Sequence, residues 1–372
     1  MLGRFIQNIG WPRIIIALFL ISLFSVAPFV GVPLDTSISQ TLERFAMNGI
    51  LVLAMIPMVQ SGCGLNFGLP LGIIAGLLGA VLSLEFNNEI ISSVINFAGQ
   101  YDFLTWLNSE FVNAHRSGIL FSSAIIFAIP VALILGWLYG KLLNMVKGDE
   151  MMIATYVGFS SVSFMCIAWL LLPLKNPVMV WGYDGSGLRT SISVDGFWLH
   201  VLSDSLGFNV NEHLYIPSGM LIFFVAVAFF VWLFMRTKTG TAITATGSNP
   251  EFARASGVNI NRMRTISVML STVLGAIGII VYEQGFGFIQ LYTGPLFMAF
   301  PAVASILLGG ASANKAGILN VVIGTFLFQG ILTMTPPVIN SVFQTDMSEV
   351  IRLIVSNGII VYALTRKVRA ER

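Results

Sequence analysis

An all-α protein that crosses a membrane many times is what this chain predicts, on three observations. Its 372 residues are 56% hydrophobic and only 10% charged, where soluble domains carry roughly 25% charged residues. The mean hydropathy is +0.86. Apolar runs close to the ~20 residues that a bilayer-spanning helix needs recur along the whole chain. Lys and Arg gather in alternate loops between those runs, as they do when basic loops stay on the cytoplasmic side. The net charge of +2 says nothing about nucleic acid, and with no lysine-rich tail or aromatic-interleaved basic patch the lipid bilayer, not nucleic acid, is the expected partner.

Taken in order, clear spans are expected at 14–32, 119–140, 153–174, 216–235, 264–283, 317–334 and 350–365. Three shorter ones are expected at 46–60, 69–84 and 296–309, giving about ten transmembrane helices in one membrane domain, 1–372. The first resembles a signal peptide, with Arg4 and Arg13 before it and Ser25-Val26-Ala27 within it. Its apolar run is longer than a usual signal core and many spans follow, so it reads as an uncleaved anchor. Ten spans place both termini on one side. Arg4, Arg13, Lys141, Lys147, the five cations of 236–265, Lys315 and the basic tail after residue 365 share that side. The opposite loops, 33–45, 87–118, 175–215 and 335–348, hold only Arg44, Arg116, Lys175 and Arg189, so the termini are expected to be cytoplasmic. An eight-span alternative makes 46–84 and 284–309 re-entrant hairpins with the same sidedness.

Two spans look broken. The runs Gln60 to Gly72 and Glu283 to Pro295 each combine glycines, a proline and amides at or near membrane depth. Each lies between the first and second spans of a four-span group, 46–174 and 264–365, and the groups run in opposite senses. That is the pattern of an inverted repeat whose broken helices mark a central pathway. Within the first break, Asn66 and Phe67 belong next to the pathway; an amide there either satisfies freed backbone groups or faces a wet cavity. Gly64, Gly68, Gly72 and Gly76 recur every fourth residue, which on a helix makes a smooth packing stripe. Glu283 and Gln284 open the second break. An intramembrane carboxylate is usually functional, although at the outer end of a span an interfacial carboxylate is the commoner case. Gln329, Asn320 and Asn357 either line a polar pathway or bond between helices.

The polar run Arg236 to Arg262 stands apart. It holds four cations against one acid, Glu251, with Arg264 just beyond. Asn249 is a helix N-cap, Pro250 suits the first helical position, Glu251 complements the dipole, and Gly257 stops the helix about two turns later. A short capped helix on the cytoplasmic face is an element for another protein to hold.

Several chemistries are missing from the sequence. Gly136-Trp-Leu-Tyr-Gly-Lys141, followed by Leu142, misses the spacing of the phosphate-cradling P-loop. No nucleophile elbow, zinc-protease motif or buried carboxylate pair suggests hydrolysis. Cys63 and Cys166 read as buried thiols without a CxxC pair. His115, His200 and His213 lack metal-ligand spacing, and no metal or cofactor is expected. A pathway without an engine, beside a docking helix, calls for a separate energy-supplying subunit.

The stretch from Thr239 to Arg262 resembles the cytoplasmic loop of bacterial ABC importer permeases. The closest group takes sugars, nucleosides and branched-chain amino acids, with the pattern G-x-N-x-x-A-A-x-x-S/L-G-I-N. Gly247, Asn249, Ala253, Ala255, Gly257, Val258 and Asn259 fall into its register, with Phe252 near the first alanine. Gly64-Leu-Asn-Phe-Gly68 resembles that group's G-x-x-N-[IFL]-G segment, and Ala302 to Ala311 its A-x-x-x-x-x-x-G-G run. Together these cover most of 46–365.

The resemblance implies a transport subunit of the bacterial inner membrane that is not itself an enzyme. It implies a second permease copy or paralogue, two cytoplasmic ATPase subunits that bind ATP and Mg, and an extracytoplasmic solute-binding protein. Residues 249–257 would form the coupling helix, with Asn249, Glu251, Ala253, Arg254 and Gly257 at the ATPase. The solute would be a small polar molecule, sugar or nucleoside-like, moved by alternating access. Two departures stand out. Gly64 to Gly68 replaces the G-I-D-L-S of sugar members, and Leu69-Pro70 stands where nucleoside members commonly have a Glu. The outer loops, with Trp106, Trp181, Tyr183 and Trp198, either dock the binding protein or cover the membrane surface. The rival class is an independent secondary carrier or channel whose basic loop only sets topology.

Overall fold

The computed structural model describes residues 11–100, 109–180, 188–211, 214–312, 315–343 and 348–370. Trp106, Trp181, Tyr183 and His213 lie outside them. The described residues form helices α1 (Trp11–Val26), α2 (Leu34–Leu53), α3 (Met55–Gln60), α4 (Leu69–Glu85), α5 (Asn87–Gly99), α6 (Ser109–Ala114), α7 (Arg116–Met145) and α8 (Glu150–Leu171). There follow α9 (Val201–Leu206), α10 (Ser218–Arg236), α11 (Lys238–Ser248), α12 (Pro250–Ala255), α13 (Ile260–Phe286), α14 (Gly294–Leu308), α15 (Ile318–Phe343) and α16 (Ser348–Ala370). Strands β1 (Ser191–Ser193) and β4 (Phe288–Gln290) pair antiparallel with Ser191 opposite Gln290, and β2 (Phe208–Asn211) pairs with β3 (Leu214–Ile216). The all-α polytopic class is thus observed.

Seven spans among the described residues are long and apolar enough to cross a bilayer, and the α4–α5 pair, bent by 72°, makes up to eight. The shorter apolar stretches Phe297–Leu308 and Val350–Tyr362 coincide with the remaining two expected spans. Length and composition therefore establish seven to eight spans, and the count of ten goes beyond them.

The centre is built by α4, α7 and α13, which pack through small residues. A Cβ on Gly79 of α4 would overlap the Ala124 carbonyl of α7, and one on Gly136 of α7 would lie 2.8 Å from Met269 Cα of α13. Gly72 and Gly76 of α4 meet Thr272 and Ile279 of α13 in the same way. Bare backbones approach closely there, which replaces the missing hydrophobic drive between helices in lipid. Phe164, Ile167 and Leu171 on α8, and Ile222, Val225 and Phe229 on α10, stay exposed and give these helices apolar outer faces suited to lipid.

Two expectations change. Residues 34–45, expected as loop, are the first turns of α2. Ser37 and Thr41 are buried there, and each hydroxyl donates to the carbonyl four residues back, Pro33 and Ser37, both at 2.8 Å. A polar side chain satisfied by its own helix is invisible to hydropathy. Gly64 and Gly68 lie in the break ahead of α4, so the helical stripe starts at Gly72.

Candidate functional site

The basic loop folds as a helical hairpin and not as an open chain. Thr237 caps α11, its Oγ1 accepting from Gly240 N at 3.2 Å. Asn249 caps α12, its Oδ1 accepting from Phe252 N at 3.0 Å, with Pro250 and Glu251 in the first turn. At the other end Gly257 has φ +80, its N–H donates to Arg254 O, and Val258 N–H donates to Ala253 O, both at 3.0 Å. This double bond about a left-handed residue is the Schellman stop. Asn259 then caps α13, accepting from Arg262 N at 3.0 Å. Each of the three helices is started by its own side-chain cap, which fixes the geometry of the turn between them.

The sequence-predicted docking residues divide by face. Asn249, Glu251, Arg254 and Gly257 are exposed, whereas Ala253 is buried against the body of the protein. Phe252 is 65% exposed beside it. Ala253 therefore anchors α12 to the permease, and Phe252 with Glu251 and Arg254 forms its outward surface.

The first break, 61–68, sits at the same end of the bundle as this hairpin. Asn66 is buried in it; its Nδ2 donates to Ser271 Oγ at 2.8 Å, and Tyr139 OH reaches its Oδ1 at 3.4 Å. Ser271 Oγ in turn donates to Ala54 O at the joint between α2 and α3, at 2.5 Å. Both partners of the Asn66 amide are side-chain hydroxyls, and it is Ser271 that reaches a backbone carbonyl. Phe67 faces a pocket lined by Pro70, Thr155, Phe159, Val162, Ala299 and Phe300. The Phe300 ring lies 6.0 Å from that of Phe67 and 6.2 Å from that of Phe159.

At the opposite end, Glu283 and Gln284 close α13. Glu283 is buried, and neither carboxylate oxygen has a hydrogen-bond partner among the described residues. Glu283 thus lies near the end of α13, enclosed by the protein. Gln284 is also buried; its Oε1 accepts from Leu202 N at 3.2 Å and its backbone carbonyl from His200 N at 2.9 Å. The 194–206 segment, with buried Trp198, is thus pinned to the second break. Gln329 is buried on α15, near neither break in sequence, and its carbonyl accepts from Thr333 Oγ1 at 2.7 Å.

Some residues escaped sequence reasoning. Gln60 and Thr244 meet across 184 positions, and Arg264 binds Glu150 and Cys63 across still distant loops. No local pattern announces a long-range pair. Phe252 had a signal, an apolar residue in the most polar stretch of the chain.

Comparison with known proteins identifies the family. The profile of the family described as the permease component of the branched-chain amino acid transport system matches residues 37–362. The autoinducer 2 import system permease protein LsrC of Photorhabdus laumondii is 26% identical over 273 residues, 66% of this chain and 81% of the relative. The nucleoside ABC transporter permease protein NupB of Lactococcus lactis is 23% identical over 235 residues, 60% of each chain. LsrC of Klebsiella pneumoniae is 31% identical over 173 residues, 44% of this chain and 49% of that one. No solved structure matches. With the family profile covering most of its length, this chain belongs to the ABC importer permeases of the branched-chain amino acid, sugar and nucleoside type and is a multi-pass membrane permease subunit.

Proposed function

We propose that this permease forms the membrane pathway of an ATP-driven importer for a small polar organic solute, sugar or nucleoside-like. The observation that carries this reading is α12: a helix of six residues, capped at both ends, held by buried Ala253 and presenting Phe252, Glu251 and Arg254 outward. Such an element suits the groove of a partner. ATP and Mg would be bound by two cytoplasmic ATPase subunits, with no nucleotide site in this chain. The termini would lie on the cytoplasmic side of the inner membrane, with 46–174 and 264–365 as inverted repeats around the pathway. A second permease copy or paralogue would complete that pathway, and a binding protein would deliver the solute from outside. The names of the relatives, an autoinducer and a nucleoside permease, favour the solute class. Co-purification tests the reading. The tagged chain is expected to retain its cognate ATPase, whereas uptake by the chain alone along an ion gradient would make it a secondary carrier.

Glu283 gives this reading an internal test. A buried polar group without a partner costs about 1–3 kcal/mol, and buried carboxylates on spans are kept for function. Glu283→Leu is therefore expected to raise the melting temperature while ATP-driven uptake falls. A lower melting temperature would mean that the carboxylate holds the fold together instead.

A further inference from the structure

The contact between α11 and the broken span carries a further step. Gln60, the last residue of α3, uses both ends of its amide. Its Oε1 accepts from Thr244 Oγ1 of α11 at 2.9 Å, and its Nε2 donates to Ala316 O, two residues ahead of α15, at 2.7 Å. The Thr244 hydroxyl also lies 3.1 Å from Gly240 O, so it remains bonded within α11 if Gln60 moves away. Asn320 at the start of α15 holds the residues on either side of Ala316's position, its Nδ2 donating to Gly309 O and its Oδ1 accepting from Gly317 N, at 2.8 and 2.9 Å.

Beside this bridge the backbones touch. A Cβ on Gly247 of α11 would overlap the Gln60 carbonyl oxygen and lie 2.7 Å from Gly62 N. Gly62 has φ +77, a conformation open to glycine at little cost. The hairpin that ends in α12 therefore presses without an intervening side chain on the first residues of the 61–68 break. Six residues beyond Gln60 lies Asn66, held by Ser271 and Tyr139, and next to it Phe67 at the aromatic pocket.

We infer that Gln60 is a positioning residue that joins the docking hairpin, through Thr244 and the Gly247–Gly62 contact, to the break in the pathway helix and to Ala316 just ahead of α15. A displacement of α12 is carried by α11 to one amide that two loops share, so both move together. Packed elements with two discrete arrangements transmit such shifts, and a bond that tethers them biases both at once. This step rests on the reading of α12 as the ATPase docking point.

The test uses the permease purified with its ATPase, carrying Cys166→Ser so that Cys63, within the break, is the remaining thiol. N-ethylmaleimide labelling of Cys63 is followed by mass spectrometry without nucleotide and with Mg-ATP and vanadate. The unsubstituted complex is expected to show a severalfold nucleotide-dependent change in labelling rate. Gln60→Leu and Thr244→Val are expected to lose that change while still retaining the ATPase and hydrolysing ATP. Thr244→Ser, which keeps the hydroxyl, is expected to behave as the unsubstituted chain. Thr244 is exposed, so its substitution leaves folding intact even where Gln60→Leu does not. A full nucleotide response in both Gln60→Leu and Thr244→Val would overturn the joint. So would a retained ATPase with Cys63 labelling indifferent to nucleotide. Failure of the unsubstituted chain to retain any ATPase would instead remove the docking reading, and the joint with it.

Discussion

Arg264→Leu is expected to be the most damaging single substitution at the N-terminal end of α13. Its guanidinium donates to Glu150 Oε1 at 2.5 Å through Nη2 and to Cys63 Sγ at 3.1 Å through Nε. The two charged side chains are only 8% and 16% exposed. Removing one partner of a buried pair costs about 3–5 kcal/mol, because the other charge is left uncompensated. Glu150 keeps some access to water and its Oε2 accepts from Gly148 N, so the lower end of that range applies here. The double replacement Arg264→Leu with Glu150→Leu is expected to recover much of the loss, since no orphan charge remains. Thermal denaturation of the two single variants and the double variant in detergent measures this coupling. Simple addition of the two single effects would show that the pair does not act as a unit. The three groups come from the break, the start of α8 and the start of α13, so Arg264 ties both the 61–68 segment, through Cys63, and α8, through Glu150, to the helix that follows the docking hairpin.

Phe252→Ala is expected to weaken retention of the ATPase by roughly 30-fold, the equivalent of about 2 kcal/mol, the scale of an aromatic anchor at an interface. Its ring is exposed on a helix whose backbone is fixed at both ends, so little ordering is needed on binding. The fold should be unaffected, because an exposed side chain leaves no cavity. Gly257→Ala acts on the same surface by another route. Open space surrounds the position, but φ +80 disfavours a side chain by roughly 1–2 kcal/mol. That substitution is expected to loosen the helix stop and lower affinity without removing a contact. Titration of the ATPase onto immobilised permease separates the two. An unchanged affinity in Phe252→Ala would mean that the outward face of α12 is not the contact surface.

The sequence made α12 legible residue by residue, because capping is local: Asn249, Pro250, Glu251 and Gly257 each act on bonds within four positions. The class of fold was legible from hydropathy for a similar reason, since lipid demands long apolar helices. Helix α11 was missed because its threonines and glycines are weak helix formers, and its position is set by contacts with Gln60 and Gly62 far away in the chain. The early start of α2 was missed because Ser37 and Thr41 hide their polarity in their own helix. At the candidate pathway, Phe67 faces a pocket, while Asn66 is spent on bonding Ser271. The unpartnered burial of Glu283 depends on what packs around the end of α13, and no spacing rule carries that information.

The most direct measurement of the central claim is a site-specific photocrosslink from α12 to the ATPase in the assembled complex. A photoreactive residue at position 252 is expected to form an adduct with the ATPase subunit, and the same residue at buried position 253 is expected to react within the permease. Adducts to the ATPase from loops at the opposite end of the bundle, with none from 252, would contradict the assignment of 249–257 as the element through which force enters.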